Sequence, residues 1–142
     1  MSDTEVNSDI KVVIVISSTL GIGPAANRAA VLATGLTAHV PNMIGNNLTT
    51  NDNVELLSIT QIPIPILSAK PEVSFFALID KAKEFNCKAI LYLARAQGMQ
   101  SYEEYRESIA LTSYKDLDVD AIAIWGDPKS VTRLTGNLPS LR

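Results

Sequence analysis

The sequence predicts one α/β domain, a three-layer α/β/α sandwich around a mixed, mostly parallel sheet of four to five strands. Three nearly continuous apolar runs, at residues 10–17, 89–94 and 119–125, are typical of strands buried on both faces. Helical patterns lie between these runs, so strand and helix alternate along the chain. The length of 142 residues fits one domain, and a hydrophobic content of 46% is enough to form a core.

The first part of the chain predicts a strand, a turn and a helix. Residues 1–9 are polar and acidic, and we expect them to be a flexible N-terminus ahead of a single domain at residues 10–142. Pro24 suits the first position of a helix, because the N–H that it lacks would be unpaired there. Residues 24–37 are rich in small side chains, which favours a helix that lies close to the sheet.

Residues 41–67 predict a hairpin followed by an edge strand. Turn-forming asparagines separate two short extended pieces, one around Leu48 and one at residues 54–57. Pro63 and Pro65 remove two backbone donors from residues 62–67, so a strand there would lie at an edge of the sheet.

The second half of the chain predicts three helices. Pro71 is expected to open a helix that runs to residue 85 with one apolar stripe. Ser101 and Glu104 predict a capping box at the start of a helix that ends near residue 110. Three side chains of that helix are expected to face inward: Tyr102, Tyr105 and Ile109. Asp127 and Pro128 predict the cap and the first residue of the last helix.

The composition argues against several classes of function. A net charge of −3 argues against a nucleic-acid partner, since such proteins usually carry a basic surface. No apolar run reaches the roughly 18 residues of a membrane span. Cys87 is the only cysteine, so it allows no intramolecular disulfide or cysteine metal site, and it is predicted to lie in the core. The N-terminus lacks the basic and apolar parts of a signal peptide, and a cytoplasmic location is therefore expected.

Residues 21–26 read Gly-Ile-Gly-Pro-Ala-Ala, which matches the G-x-G-x-x-A pattern of dinucleotide-binding turns. Three details argue against a nucleotide. Residues 17–20 separate the strand from the first glycine, Pro24 removes an N–H that could bind phosphate, and no acidic residue clearly closes a second parallel strand. The segment therefore favours a tight turn into a helix, and neither a cofactor nor a metal is predicted.

Polar side chains are expected to meet at the carboxyl edge of the sheet, where ligands bind in open α/β sheets. Residues 17–19 end the first strand beside a helix N-terminus, which favours an anion or a carboxylate. Arg95 and Gln97 follow the strand at residues 89–94, and Asn27 lies one turn into the first helix. The predicted ligand-binding residues are Thr19, Asn27, Arg95 and Gln97. Two alternatives stay open: Arg95 could pair with a nearby acid, and Asn27 could bond to the adjacent loop backbone.

Other polar residues are given structural interpretations. His39, the only histidine, is predicted to cap a helix C-terminus rather than to act as a catalyst. Three aspartates alternate before the third buried strand, and a solvated loop is favoured over a metal site: Asp116, Asp118 and Asp120. The residues by themselves identify no catalytic group.

The two ends of the chain resemble the type-2 peptidyl-tRNA hydrolases. In that family a buried strand leads through a Leu-Gly-Met-Gly-type turn into a helix of small residues, and residues 20–23 read Leu-Gly-Ile-Gly. The family ends in a strand, a Gly-Pro turn, a short helix and Thr-Gly-His-Leu. Residues 126–128 read Gly-Asp-Pro and residues 135–138 read Thr-Gly-Asn-Leu, with Asn137 in place of the histidine. The resemblance implies the fold of that family.

Over nearly its full length the chain also resembles the uncharacterised "domain of unknown function two thousand" family, and this resemblance implies the same fold. The similar pieces are Gly-Pro-Ala-Ala-Asn at residues 23–27, the proline-containing residues 62–67, Ala-Gln at residues 96–97, Tyr-Glu-Glu-Tyr at residues 102–105 and the closing block at residues 121–142. The chain departs from the hydrolases at Ala26 and Ala30, where they carry a lysine and a glutamine. Residues 113–120 also lack their Asp-Ala-Gly-Arg-Thr-like segment, so the hydrolase's catalytic residues cannot be carried over.

Three hypotheses of function follow from the sequence. The first is a protein that binds a small anionic or peptide-like ligand at the carboxyl edge of the sheet and lacks the hydrolase's catalytic residues. The second is a divergent hydrolase that acts on peptidyl-tRNA or a related ester. The third is a non-enzymatic homodimeric structural or interaction domain. Whether the protein is an enzyme stays open.

Overall fold

The computed structural model describes residues 9–142, so most of the flexible N-terminus expected at residues 1–9 lies outside the described residues. The strands are β1 Lys11–Ser17, β2 Leu48–Thr49, β3 Glu55–Leu56, β4 Ile66–Ala69, β5 Lys88–Leu93 and β6 Val119–Gly126. The α-helices of this range are α1 Ile22–His39, α2 Phe75–Glu84, α3 Tyr102–Ala110 and α4 Pro128–Thr135. Two short 3₁₀ helices lie at Ala94–Gly98 and Tyr114–Asp116. The predicted strands and helices are therefore present, with ends that differ by a few residues.

The main sheet is mixed and has four strands in the order β4-β1-β6-β5, while β2 and β3 form a separate hairpin. Only the pairing of β1 with β4 is parallel, because β6 runs antiparallel to both β1 and β5. The expectation of a mostly parallel sheet is therefore wrong in this respect. Helix α3 lies between β5 and β6 in the chain but does not cross over the sheet, since no residue of Tyr102–Ala110 is buried and β6 pairs antiparallel with β5.

Side chains of β1 alternate between two apolar clusters, one on each face of the sheet. On one face the strand packs against the inner side of α1, in a cluster that includes Val12, Ile14, Ile16, Leu32 and Leu36. On the other face it packs against α2 and α4, in a cluster that includes Val13, Val15, Ile79, Val131 and Leu134. Helices therefore cover both faces of the central strands.

The buried side of α1 follows the spacing of a helix face and lies close to the sheet. Its buried residues are Ala25, Arg28, Leu32 and Leu36. Gly35 is in close contact with β5, since a Cβ added there would lie 2.9 Å from the Cδ1 of Ile90. The small residues of α1 thus allow the close approach that the alanine-rich sequence predicted.

Helix starts agree with the predicted caps at α4 and differ at α2. Asp127 accepts hydrogen bonds from the backbone N–H groups of Lys129 and Ser130, so it caps α4 as predicted. Helix α2 begins after Ser74, whose hydroxyl accepts from the N–H of Ala77 at 3.1 Å. Pro71 therefore does not open this helix, because the hydroxyl of Ser74 can satisfy an unpaired N–H and a proline ring cannot.

The capping box of α3 is present in modified form, and one of the side chains of α3 that was expected to face inward does not. The hydroxyl of Ser101 accepts from the N–H of Glu104 at 3.1 Å. The Glu104 carboxylate accepts from the N–H of Gln100 at 3.0 Å, one residue before the cap. Tyr102 is 79% exposed, so the expectation that it faces inward is wrong.

The outer side of β4 is covered by the last residues of the chain. β4 begins after Pro65 and lies beside β1 at one end of the strand order, as the two prolines predicted. Ser68 donates its N–H to the carbonyl of Pro139 at 2.8 Å, and Leu141 donates to the carbonyl of Ile66 at 2.9 Å. Among the helices described here, none has the length and apolar character needed to cross a membrane.

Candidate ligand-binding site

The predicted site residues follow elements that meet at one edge of the sheet. β1, β4 and β5 point in the same direction and β6 runs against them, so the ends of β1 and β5 lie beside the start of β6. The turn after β1, the 3₁₀ helix Ala94–Gly98 and residues 118–120 lie at this carboxyl edge. Open α/β sheets bind ligands at this edge.

Arg28 occupies the interior of the edge and binds two groups there. Its Nε and Nη2 donate to the two carboxylate oxygens of Asp120, at 3.2 and 2.7 Å, and its Nη1 donates to the Oε1 of Gln97. The guanidinium also lies over the ring of Tyr92, 4.4 Å from its centre. Only 2% of Arg28 is exposed. The hydrogen bond that Arg28 donates to Asp120 raises the pKa of Arg28 and outweighs the effect of burial, so the guanidinium stays charged.

The sequence contained a signal for Arg28 that composition alone does not show. Arg28 stands three residues after Ala25 and four before Leu32, on the side of α1 that faces the sheet. A charged residue at such a position is almost never buried unless it is paired. Asp120 is the partner, and the expectation of a solvated loop at residues 116–120 is therefore wrong for this aspartate.

Asn27 joins the same network through Tyr92. The Tyr92 hydroxyl donates to the Oδ1 of Asn27 at 2.9 Å, and Tyr92 itself is buried. Asn27 is exposed, and within residues 9–142 no hydrogen bond uses its amide nitrogen. The hydrogen bond from Tyr92 therefore holds the oxygen of the Asn27 amide, and the NH₂ group of that amide faces solvent.

Arg95 belongs to a second network, which attaches α3 to the sheet. Its Nε donates to Asp118 Oδ1 at 2.7 Å and its backbone N–H donates to Asp118 Oδ2 at 2.8 Å. Its Nη1 donates to Ser108 Oγ and Thr112 Oγ1, at 3.0 and 2.8 Å. Burial raises the pKa of Asp118, but the hydrogen bonds from Arg95 outweigh it and hold that pKa below its usual value. Pairing with an acid was one of the alternatives left open for Arg95.

The turn after β1 presents hydroxyl groups beside the start of α1. The Oγ of Ser17 and the Oγ1 of Thr19 are 2.8 Å apart and share a hydrogen bond. Gly21 is the N-cap of α1, and no side chain caps this helix. In the described part of the chain, the N–H groups of Ile22 and Gly23 donate to no protein acceptor. Ile22 and Gly23 are both exposed, so this helix start faces solvent.

An apolar groove of about 480 Å³ continues from this helix start. It lies between α1, β4 and the last residues of the chain, and its lining includes Leu20, Ile22, Ala29, Ile66, Leu141 and Arg142. Ile22 is 92% exposed, although it stands at the first position of an 18-residue helix. The groove therefore combines apolar walls with one cation and a helix N-terminus.

The four predicted residues thus fall into three groups. Asn27 and Gln97 meet through Tyr92 and Arg28, Arg95 binds Asp118, and Thr19 bonds with Ser17 beside the groove. Sequence reasoning missed Arg28 and the groove, because the latter depends on the return of residues 139–142 to β4. Ligand contact by the four residues stays a prediction.

The remaining polar candidates have structural partners. His39 is the last residue of α1 and its ring stacks on Trp125, with ring centres 6.3 Å apart. Cys87 is buried as predicted, and burial raises the pKa of its thiol, which disfavours the reactive thiolate. Among residues 9–142, no cluster of histidine, cysteine and acidic residues could hold a metal ion.

Comparison with known proteins gives a family and a fold. A family model described as "Protein of unknown function (DUF2000)" matches residues 10–142. The structure of a protein of unknown function from Agrobacterium tumefaciens strain C58 is similar, with a TM-score of 0.81 and 18% sequence identity. The similarity covers 93% of this chain and 97% of that one. No curated protein matches the chain.

Proposed function

The chain belongs to the DUF2000 family of proteins of unknown function, and from that premise we propose that it binds a small amphipathic anion. The ligand carries a carboxylate, is peptide-like in size, and binds at the carboxyl edge of the sheet beside α1. The observation that carries this proposal is the uncapped N-terminus of α1, which opens onto an apolar groove.

The start of α1 supports an anionic end on the ligand. An α-helix has unpaired N–H groups and partial positive charge at its N-terminus, so it attracts carboxylates and phosphates. Within residues 9–142 the N–H groups of Ile22 and Gly23 have no protein acceptor, and both residues are exposed. The hydroxyls of Ser17 and Thr19 lie in the turn just before them. Pro24 removes the next N–H, so the turn suits a carboxylate better than a pyrophosphate.

The groove supports an apolar body. Its walls are the aliphatic side chains of residues such as Leu20, Ile22 and Ile66. Arg142 adds a cationic group to the partial positive charge of the helix start. Ligand pockets typically combine apolar walls with a few polar groups that fix orientation. An N-acyl amino acid or a short peptide has the required combination of one carboxylate and an aliphatic body.

In this proposal Asn27, Gln97 and Arg95 supply polar groups at the carboxyl edge of the sheet. The donor side of the Asn27 amide is open to solvent, and Gln97 is exposed while Arg28 holds its oxygen. Arg95 acts by holding Asp118 and α3 in place beside them. These contacts favour a rigid site, whose groups need little ordering when a ligand binds.

Binding is favoured over catalysis by the arrangement of hydroxyls. The hydroxyls of Ser17 and Thr19 bond to one another, and no described histidine or carboxylate accepts a proton from either. His39 stands at the other end of α1, 20 residues after Thr19 in the sequence. A hydroxyl nucleophile needs a base within hydrogen-bond reach.

We also propose the finer fold, a three-layer sandwich like that of the type-2 peptidyl-tRNA hydrolases. Support comes from the apolar clusters on both faces of the sheet and from the Leu-Gly-Ile-Gly turn between β1 and α1. Ala26 and Ala30 are exposed on α1 where those hydrolases carry polar groups, so a divergent hydrolase ranks second. Release of tRNA from peptidyl-tRNA by the purified protein would favour the hydrolase over the binding protein.

The protein is proposed to be a cytoplasmic homodimer. Large apolar side chains on the surface support self-association, among them Tyr102 at 79% and Tyr114 at 47% exposure. The single cysteine, Cys87, is buried and allows no intramolecular disulfide, which suits a reducing compartment. Cell fractionation tests the location, and sedimentation of the purified chain tests the assembly.

The ligand proposal is tested by NMR titration with N-acetyl-leucine, using its uncharged amide as the matched probe. We expect the backbone amide signals of Ile22 and Gly23 to move with the acid and not with the amide, because only the carboxylate is attracted to the helix start. An Ile22→Glu variant should lose the effect, since it places a negative charge there. A Leu57→Glu variant, changed at an exposed site just after the hairpin, should keep it. Equal shifts with both probes, or shifts confined to other residues, would contradict the proposal.

A further inference from the structure

One edge of the main sheet is open while the other is covered. β5 bonds to β6 along one side, and within residues 9–142 no backbone hydrogen bond reaches its other side. At the opposite end of the strand order, the chain's own residues 139–141 bond to β4. The unpaired N–H and C=O groups of β5 are complementary to another extended strand.

β5 also lacks the features that usually protect an open edge. Edge strands in monomers commonly carry a proline, a charged residue or a bulge in their middle. In β5 the only charged residue is Lys88 at its first position, and the only irregularity is a register shift at its last pair. Residues 89–91 are apolar and half-buried. The middle of the strand is therefore suited to a permanent cover rather than to solvent.

Two grooves flank this edge, one of about 510 Å³ and one of about 630 Å³. Ile90 and Leu91 line both of them. Tyr114 forms a wall of the first groove, and Tyr102 and Tyr105 form a wall of the second. Side chains of a strand alternate between the faces of a sheet, so a strand added to β5 would place its residues alternately on the two sides of this edge.

We propose that two copies of the chain pair through their β5 strands, antiparallel, about a two-fold axis at Ile90. The two four-stranded sheets then form one continuous sheet. The inference deepens the proposed homodimer by naming its interface, and it does not depend on the ligand site.

Symmetry limits the possible registers, and the side chains favour the one at Ile90. A two-fold axis perpendicular to the sheet keeps every residue on its own face of the sheet. One residue must therefore lie directly opposite its own copy, with the axis between the two copies. Ile90 then lies opposite its own copy, Ala89 opposite Leu91 of the second copy, and Lys88 opposite Tyr92 of the second copy. A small residue meets a large one in the second pair.

Charge also favours this pairing. The two Lys88 residues lie four positions apart along the strands, about 13 Å at about 3.3 Å per residue, so their repulsion is largely screened at physiological salt. Antiparallel pairing brings the Lys88 end of each copy beside the part of the other copy that follows β5. There α3 carries three acidic residues against one arginine: Glu103, Glu104, Glu107 and Arg106. Basic and acidic ends therefore meet twice across the axis.

The hairpin and the residues just after it form the competing surface, since Leu57 and Ile59 are highly exposed there. Its strands β2 and β3 are two residues long each, so it offers few backbone groups for pairing. β5 offers six residues with an unpaired side. The strand edge therefore accounts for both the apolar side chains and the unpaired backbone groups of an interface.

Sedimentation of the full chain at micromolar concentration tests the proposal, with Ile90→Lys and Leu57→Lys as a matched pair. We expect the unchanged chain and Leu57→Lys to sediment at twice the chain mass, and Ile90→Lys to fall to the chain mass. Circular dichroism checks that each variant is folded. A dimer that survives Ile90→Lys and is lost in Leu57→Lys overturns the β5 interface while keeping the homodimer. A monomeric unchanged chain overturns both.

Cross-linking gives a second reading that does not require the lysine variant to fold. In a Cys87→Ala background, Ile90→Cys should form an intermolecular disulfide under mild oxidation, because directly opposed Cα atoms in a sheet are about 4.5–5.5 Å apart. Leu57→Cys is more exposed and should cross-link several-fold more slowly. Faster cross-linking through Leu57→Cys overturns the proposal. A second result would also overturn the proposal: the unchanged chain is a monomer, and the NMR signals of β5 shift when a synthetic acidic and apolar peptide is added. That result would assign the β5 edge to a different partner.

Discussion

Arg28 in α1 and Asp120 at the start of β6 form a two-pronged ion pair inside the carboxyl edge of the sheet, although 92 residues separate them in sequence. The side chains are 3% and 17% exposed. A planar guanidinium can match both oxygens of a carboxylate, and a lysine could not replace it here. The pair connects the first helix to the central strand and holds Gln97 and Tyr92 around it.

Breaking this ion pair should be among the most destabilising single changes in the protein. Replacing Asp120 with Ala leaves the buried charge of Arg28 without its partner, and we expect a loss of about 3–5 kcal/mol in the free energy of unfolding. Urea denaturation at pH 7 measures it. A combined Arg28→Met and Asp120→Leu variant removes both charges and should lose less than the single change.

The exposed pair of Arg106 and Glu103 supplies the control for that experiment. These side chains are 65% and 58% exposed, on one face of α3. Replacing Arg106 with Ala should change stability by no more than about 0.5 kcal/mol, because surface pairs contribute little. If Asp120→Ala costs no more than this control, the buried pair does not stabilise the edge.

The ion pair of Asp118 with Arg95 should make part of the stability depend on pH. The folded protein lowers the pKa of Asp118, so its stabilisation is present above the unfolded value of about 3.9 and is lost as the pH falls through the lower, folded value. We expect Asp118→Asn to be less stable than the unchanged protein at pH 7, by about 1 kcal/mol since Asp118 is partly exposed. The difference between the two proteins should shrink below about pH 4.

Urea midpoints of both proteins between pH 7 and pH 3 measure that difference. Asp116→Asn is the matched control, because Asp116 is exposed two residues earlier and forms no described ion pair. Its difference from the unchanged protein should stay close to zero at every pH. A gap for Asp118→Asn that stays constant to pH 3 would show that the carboxylate charge is not the cause.

Two glycines should respond in opposite ways to the same added methyl group. A Cβ at Gly126 would lie 2.7 Å from the Sγ of Cys87 and 3.2 Å from its Cα, so Gly126→Ala should cost about 1–3 kcal/mol by overpacking. A Cβ at Gly23 would meet no atom within 4 Å, and alanine is the better helix former, so Gly23→Ala should be neutral or stabilise by up to about 1 kcal/mol. Thermal unfolding of the two variants checks both signs, and a stable Gly126→Ala would mean that β5 can move away from β6 without cost.

The strands of the core were predictable because burial on both faces leaves a plain apolar signal. The runs at residues 10–17, 89–94 and 119–125 became β1, β5 and β6 with ends shifted by a residue or two. The direction of β6 was not predictable, because α3 has the length and pattern of a crossover helix. Its lack of buried residues depends on contacts that no local pattern reveals.

The sequence predicted at which edge of the sheet the candidate site lies, but not the ion pairs and the groove that form it. The ends of β1 and β5 identified the edge, and Thr19, Asn27, Arg95 and Gln97 lie along it. The pairing of Arg95 with Asp118 and of Arg28 with Asp120 required the register of β5 against β6. The groove required residues 139–142 to return to β4, and a sequence read in order gives no sign of that contact.

The position of β6 in the sheet has a consequence for the growing chain on the ribosome. β6 is the last strand of the described chain to be synthesised, yet it bonds to both β1 and β5. Until Val119 has emerged, only the β1 and β4 pairing of the main sheet can form, and β5 waits with both of its sides unpaired. At about 5–20 residues per second, roughly 5–20 s separate the synthesis of β1 from that of β6, with an apolar strand edge uncovered throughout. The unpaired edges of β1 and β5 are therefore open to other chains for as long as the central strand has not been made.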